Sequence, residues 1–203
     1  MDNENTYPSF IFKNFGASYK GGRSYIHGSD IIEEIENFFS DRDGYILDIS
    51  FIRELKSPGR FVFTENDGKN SSAGCAFGSV FLDGSRRYFQ VENSDRALQQ
   101  GRPYNEDAIS VTSKNNIDFQ VVIGHRSTME HILRGTKFAS MQISPIISRW
   151  RFAEMTNKTM PVPNIKTISS IEISLQRAIA GRMLAFSVRL DRKKLATIKF
   201  IGK

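Results

Sequence analysis

Two histidines stand in matching company. His27 opens His27-Gly-Ser-Asp-Ile-Ile-Glu-Glu-Ile35, and His125 opens His125-Arg-Ser-Thr-Met-Glu-His-Ile-Leu133. Each precedes a predicted helix, where the positive end of the helix dipole disfavours imidazolium and suits a ring that accepts a proton, as a general base must. Carboxylates accompany both: Asp30, Glu33 and Glu34 follow the first, Glu130 the second. If two halves packed pseudo-symmetrically, each imidazole would meet carboxylates of the opposite helix, which makes His27, His125, Asp30 and Glu130 the catalytic candidates. The alternative is that each histidine caps a helix or closes a turn with a satisfied hydrogen bond. Asp30 and Glu34, four apart on one helical face, equally suit a plain solvated surface.

Other chemistries lack their residues. The single Cys75 excludes an internal disulfide and a Cys-pair metal site, and with no basic run beside it reads as a buried, inert thiol. The three histidines show no metal-ligand spacing, so no metal and no cofactor are expected. His131 is placed on the polar side of its helix. There is no Gly-x-Ser-x-Gly elbow and no phosphate loop. Arg149-Trp150-Arg151-Phe152 interleaves basic and aromatic side chains. Such a run can stack on bases, contact a pantetheine arm with its adenine, or put its aromatics in the core and its arginines outside. Arg53, Arg149, Trp150 and Arg177 are the substrate-binding candidates. Arg192-Lys193-Lys194 reads as a basic hairpin tip, either docking an acidic partner or solubilising a turn.

The elements that must position these residues also come in two sets. Asp48-Ile-Ser-Phe-Ile-Arg-Glu-Leu-Lys-Ser-Pro-Gly-Arg60 recurs, two residues shorter, as Glu172-Ile-Ser-Leu-Gln-Arg-Ala-Ile-Ala-Gly-Arg182. With the His-x-Ser echo upstream, the order in each half is helix, strand, Gly-Arg turn, strand, which is what two copies of one supersecondary unit look like. Coincidence between two short alternating strands is the competing reading.

Along the chain, aromatic-rich Tyr7–Tyr19 predicts a first strand. Ser29 or Asp30 predicts the first helix cap, with Ile31, Ile32, Ile35, Phe38 and Phe39 as its apolar stripe. Strands are predicted at 45–55, 59–66, 74–83 and 86–93, separated by Ser57-Pro-Gly59, Asn66-Asp-Gly68 and Asp83-Gly84. Polar residues 94–108 connect the halves, which are taken as 1–100 and 101–203. The second half predicts a strand at 117–123, a capping box of Ser127 with Glu130, a shorter helix, an insertion or extended helical region near 138–163, and strands at 167–177, 182–190 and 195–201.

Composition bounds the class. The 203 residues, 39% apolar and 25% charged, are those of an ordinary soluble globule with room for a sizeable core. No signal peptide and no apolar run of membrane-spanning length are read, so a cytoplasmic protein without a membrane partner is expected. The net +6 is unevenly held: residues 1–113 carry 12 basic and 17 acidic side chains, residues 114–203 carry 16 and 5. A basic half favours acidic partners, among them nucleic acid, an acidic carrier protein, or the phosphates of a nucleotide-bearing substrate. A solvated basic face, or one half docking on the other, accounts for the same charge.

Ile49-Ser-Phe-Ile-Arg53, Ser57-Pro-Gly59 and Val80-Phe-Leu-Asp-Gly84 resemble the strand-turn-strand and later Asp-Gly hairpin of the hotdog fold, in which a curved antiparallel sheet wraps a helix. The nearest likeness is to hydroxyacyl-carrier-protein dehydratases of the FabZ type and to acyl thioesterases. Two fused copies would be similar to double-hotdog proteins, including polyketide synthase dehydratase domains and the A-factor biosynthesis family. The resemblance covers about half the chain. It implies an α+β fold of two hotdog-like units packed as a pseudo-dimer within one chain. It also implies acyl-thioester processing, dehydratase or thioesterase-like, on an acyl carrier protein or CoA thioester. In the dehydratases a His-carboxylate pair removes a proton from C2 and donates one to the C3 hydroxyl. The departures are definite: Arg60 stands where such turns carry an acid, and the His-x-x-x-Gly-x-x-x-x-Pro signature is absent. A non-catalytic double-hotdog acyl-binding or scaffold protein and a basic nucleic-acid-binding module therefore remain as alternatives, and association of two chains is left open.

Overall fold

Strand far outweighs helix in this chain because its apolar residues alternate between turns that tolerate positive φ. Three hairpins turn at Asp83-Gly84, Ala180-Gly181 and Asp191-Arg192, where both residues of each pair have φ between 47° and 76°. Paired positive φ values of this kind match the right-handed twist of the flanking strands.

The computed structural model describes residues 10–11, 18–20, 26–57, 59–64, 74–94, 99–102 and 109–203. The strands are β1 (Phe10–Ile11), β2 (Ser18–Lys20), β3 (Tyr45–Phe51), β4 (Gly59–Thr64), β5 (Gly74–Leu82), β6 (Ser85–Asn93), β7 (Gln99–Arg102), β8 (Val111–Ser113), β9 (Asp118–Val121), β10 (Trp150–Thr156), β11 (Ile171–Ile179), β12 (Met183–Leu190) and β13 (Lys193–Gly202). The helices are α1 (Gly28–Phe39) and α2 (Thr128–Ile143). The rest of the first predicted strand, and most of the 94–108 connection, lie outside the described residues.

Eleven strands form one sheet in the order β1-β4-β6-β5-β3-β10-β13-β12-β11-β9-β8, while β2 and β7 pair separately and in parallel. Every pairing in the large sheet is antiparallel. The sheet divides at its middle, where β3 meets β10 through Ser50 opposite Glu154 and Ile49 opposite Met155. α1 packs on one half and α2 on the other, and the two helices pack on each other. A single apolar core runs through both, from Ile35, Phe61 and Phe89 to Phe119, Ile132 and Phe186. The architecture is the expected α+β one. Among the described residues no helix is long and apolar enough to cross a membrane.

The two halves do not connect their strands identically. Outward from the junction, β11, β12 and β13 form a simple meander, whereas β4 pairs with β6 and β5 pairs with β3. The counterpart of β3 across the junction is β10, not β11. The echo between 48–60 and 172–182 thus aligns strands that occupy different places, because a period-2 pattern matches any half-buried strand.

Other departures are local. α1 begins at Gly28 with His27 in extended backbone at the cap, and no side chain caps it. Ser29 lies inside the helix and is buried. Phe39, one residue past Phe38, takes the core position with rings of Phe61 and Phe63 at 5.5 and 5.9 Å, leaving Phe38 47% exposed. α2 is the longer helix, with 16 residues against 12. It also lies close to the sheet: a Cβ on Gly135 would fall 2.4 Å from Val121 Cγ2 and 2.8 Å from Ile173 Cδ1, so glycine is what this approach requires. The 138–163 region extends α2 as far as Ile143 and then supplies β10, a strand the sequence did not indicate.

Candidate functional site

His27 sits where α1 meets the central junction. Its carbonyl accepts from the N–H groups of Asp30 and Ile31 at 3.1 and 3.2 Å, starting the helix. Ile26 N–H donates to Leu55 O at 2.8 Å, which ties the approach to the segment after β3. Gly28 lies on Phe152, where a Cβ would come 2.7 Å from the ring, and the Phe152 ring is 5.1 Å from that of Phe51 and 5.9 Å from that of Phe200. His27 and Asp30, on either side of Gly28, are both half-buried. Ser29 Oγ donates to Asp30 Oδ1 at 3.4 Å.

The opposite end of the helix pair is built differently. Glu36 is buried in the second half of α1, with Lys158 Nζ 2.5 Å from its Oε1 and wholly shielded from solvent. Ile46 N–H donates to Oε1 at 3.3 Å and Val162 N–H to Oε2 at 2.8 Å. The Lys158 ammonium also lies 4.8 Å from the centre of the Tyr45 ring. Burial pulls its pKa below the usual lysine range, against the opposing pull of the Glu36 charge. One residue past Val162, Pro163 O accepts from Thr128 Oγ1 at 2.7 Å. A strap over 158–163 therefore bridges α1 at Glu36 to the first residue of α2.

That bridge sets the helix directions. Thr128 begins α2 beside Glu36, eight residues or about 12 Å along α1 from Gly28. The other end of α2 runs into Trp150 and Phe152, on which Gly28 rests. The helices are antiparallel, with His27 and His125 at opposite ends of their seam. The structure does not bring His27 to Glu130, nor His125 to Asp30.

At the second end His125 is exposed, and Glu130 is buried with Arg126 Nη1 at 3.8 Å from its Oε1. Ser127 caps α2, its Oγ accepting from Glu130 N–H at 3.2 Å. His131 departs from expectation. It is 1% exposed, with Nδ1 2.8 Å from Ser127 O and Nε2 accepting from Gly124 N–H at 2.9 Å. Both nitrogens are spent holding the loop before α2, so this histidine is structural.

Among the basic candidates, Arg53 is exposed just past β3, its N–H donating to Cys75 O at 3.1 Å. Burial raises the Cys75 thiol above its ordinary pKa, with the Arg53 charge opposing, as suits an inert cysteine. Arg149 and Arg177 are exposed at the His27 end of the sheet. Trp150 is 4% exposed and packs against Gly202, and its Nε1 has no hydrogen-bond partner among the described residues. The Arg-Trp-Arg-Phe run is thus a strand with its aromatics inward, and Arg151 pairs with Glu54 at 3.0 Å. No group of three or more metal-ligating side chains occurs among the described residues. Sequence reasoning missed Glu36 and Lys158, the most buried charged pair here. The signal available was Glu36 in register with Ile32 and Phe39 on the apolar face of α1.

No protein-family model and no curated protein sequence matches the chain. Solved structures do. The tesB protein of Mycobacterium avium subsp. paratuberculosis superposes with a TM-score of 0.55 at 8% identity, covering 96% of this chain and 92% of that one. A trans-AT polyketide synthase dehydratase domain from Brevibacillus brevis gives 0.52 at 9%, covering 97% and 92%. The pyran synthase domain from module nine of the sorangicin pathway gives 0.51 at 8%, covering 96% and 91%. At such identities the likeness is one of fold, and the fold of this chain is the hotdog fold.

Proposed function

We propose that the chain is an acyl-thioester-processing enzyme of biosynthetic type, dehydratase or thioesterase-like, with units 1–100 and 101–203 and an acyl group carried on CoA or on an acyl carrier protein. The observation that carries this reading is a half-buried histidine and carboxylate, His27 and Asp30, at the start of α1, where Gly28 between them rests on the Phe51–Phe152 ring pair. An aromatic floor suits an apolar acyl chain, and an imidazole at a helix start suits proton removal. In this reading His27 is the base and Asp30 its acid partner, while Arg53, Arg149 and Arg177 approach the phosphates of the carrier arm. His125 and Glu130 form the weaker second end. The dehydratase name of one structural neighbour supports the reaction class only through the fold.

A non-catalytic acyl-binding or scaffold role draws on a different observation: His125 lies in the open and Glu130 faces Arg126, leaving that end without an accessible acid-base pair. A nucleic-acid role is disfavoured because Trp150 is turned into the core. The test is turnover of 3-hydroxyacyl and acyl thioesters. The enzyme reading expects His27→Ala to lose about a hundredfold or more in kcat/KM, and His125→Ala to lose far less. Thioester binding without turnover in the unaltered protein would transfer the site to the scaffold role.

A further inference from the structure

Three separate segments converge at the His27 end of the sheet, and none of them contains an acidic residue, although Glu54, from outside them, pairs with Arg151. The loop after α2 meets the β11–β12 hairpin where Gly181 approaches Ser144 Oγ, a Cβ there falling 3.7 Å away. It meets the end of β13 where Gly202 lies against Ile147 and where Lys203 N–H donates to Arg149 O at 2.9 Å. The hairpin meets β13 through Gly202 N–H donating to Arg182 O at 2.7 Å. Residues 137–151, 176–184 and 200–203 contain no Asp or Glu. Arg149, Arg177, Arg182 and Lys203 are all exposed there.

The apolar side chains of this rim project rather than pack. Ile146 is 95% exposed at the tip of the Ser144-Pro145-Ile146 turn, Met141 is 47% exposed in the last turn of α2, and Ile179 is 38% exposed beside the hairpin tip. Each aliphatic tip has a cation two or three residues away in the chain: Ile146 with Arg149, Ile179 with Arg177 and Arg182, and Ile201 with Lys203. From these protruding aliphatics interleaved with cations, in three segments whose sequences lack acid, we propose that this rim is a peripheral docking surface for an anionic lipid bilayer. Aliphatic tips would enter the acyl boundary while the arginines stay among the headgroups. Exposed tips on separate turns suit a deformable bilayer better than a folded partner. This inference shares Arg149 and Arg177 with the thioester reading but is read out by vesicle binding and not by turnover, and it departs from the sequence-based expectation of no membrane partner.

The opposite end of the sheet supplies an internal control. Arg192, Lys193 and Lys194 are exposed at the β12–β13 tip, with no exposed large apolar residue in that turn. The experiment is co-sedimentation of the full chain with phosphatidylglycerol-containing vesicles and with pure phosphatidylcholine vesicles, at low and high salt. The proposal expects binding to the anionic vesicles only. It expects Arg182→Gln to weaken that binding about fivefold and Ile146→Asp to weaken it about tenfold, while a triple Gln variant of the 192–194 tip binds within about twofold of the parent. All substituted residues are exposed, so unchanged circular dichroism checks that each variant folds. Equal losses from rim and tip variants would reduce the effect to net charge and overturn the proposal. So would absence of binding to anionic vesicles, or saturable binding of polyglutamate at the rim without vesicle binding, which would assign the surface to an acidic protein.

Discussion

The Glu36–Lys158 pair offers a quantitative test of how the helix seam is held. At 2.5 Å the Coulomb attraction is about 7 kcal/mol for an effective dielectric of about 20, set against a desolvation penalty of several kcal/mol for each ion. The net contribution is therefore small, and the sensitivity lies in breaking the pair. Lys158→Met leaves a buried carboxylate with only Ile46 and Val162 N–H as donors, at a cost of about 3 kcal/mol. Glu36→Gln leaves a shielded ammonium without a counter-charge, and the amide accepts through one oxygen instead of two, again costing about 3 kcal/mol. The double variant contains no buried charge and loses one backbone acceptor plus some packing. It should cost about 3 kcal/mol, well short of the additive sum of about 6. Urea unfolding followed by circular dichroism reads the cycle. Additive losses, or single losses below about 1 kcal/mol, would refute a coupled buried pair. The pH dependence gives a second readout. Because the folded Lys158 pKa is depressed, the unfolded chain holds the proton more tightly, so stability rises as pH climbs through the window just below 10.5. Lys158→Met should abolish that alkaline rise.

Two further outcomes follow from local geometry. Ser127→Ala removes the acceptor for Glu130 N–H and should lower stability by about 1 kcal/mol by urea unfolding, whereas no such cap loss is expected on substituting His27, whose side chain caps nothing. Gly78→Ala places a methyl 2.1 Å from Asp48 O and 2.8 Å from Phe89 Cζ, forcing β3 from β5. Thermal unfolding should register a loss of about 3 kcal/mol, and a loss below about 1 would mean these strands separate freely.

How much was legible in the sequence depended on the range of the signal. Strands over 59–64, 85–93 and 183–190 were visible because alternation and turn residues act within a few positions. Ser127 was visible because a cap acts over three. β10 was not, since its burial breaks step at a register shift between Phe152 and Glu154 and its pairing partners lie about a hundred residues before it and about fifty after. His131 was misplaced for a different reason: its partners Gly124 and Ser127 are near in the chain, but they lie in the loop and cap before α2, a contact that helical periodicity does not carry.

By itself the sequence determined both helices and most of the longer strands, the hotdog resemblance and the uneven charge, all of which rest on neighbours in the chain. Only the tertiary structure decided which strand joins the halves, that the helices run antiparallel with His27 and His125 at opposite ends, and that Glu36 meets Lys158. Those arrangements come from burial shared between residues far apart in sequence. A buried ion pair or a close helix crossing is selected by the whole core, and no local pattern specifies it.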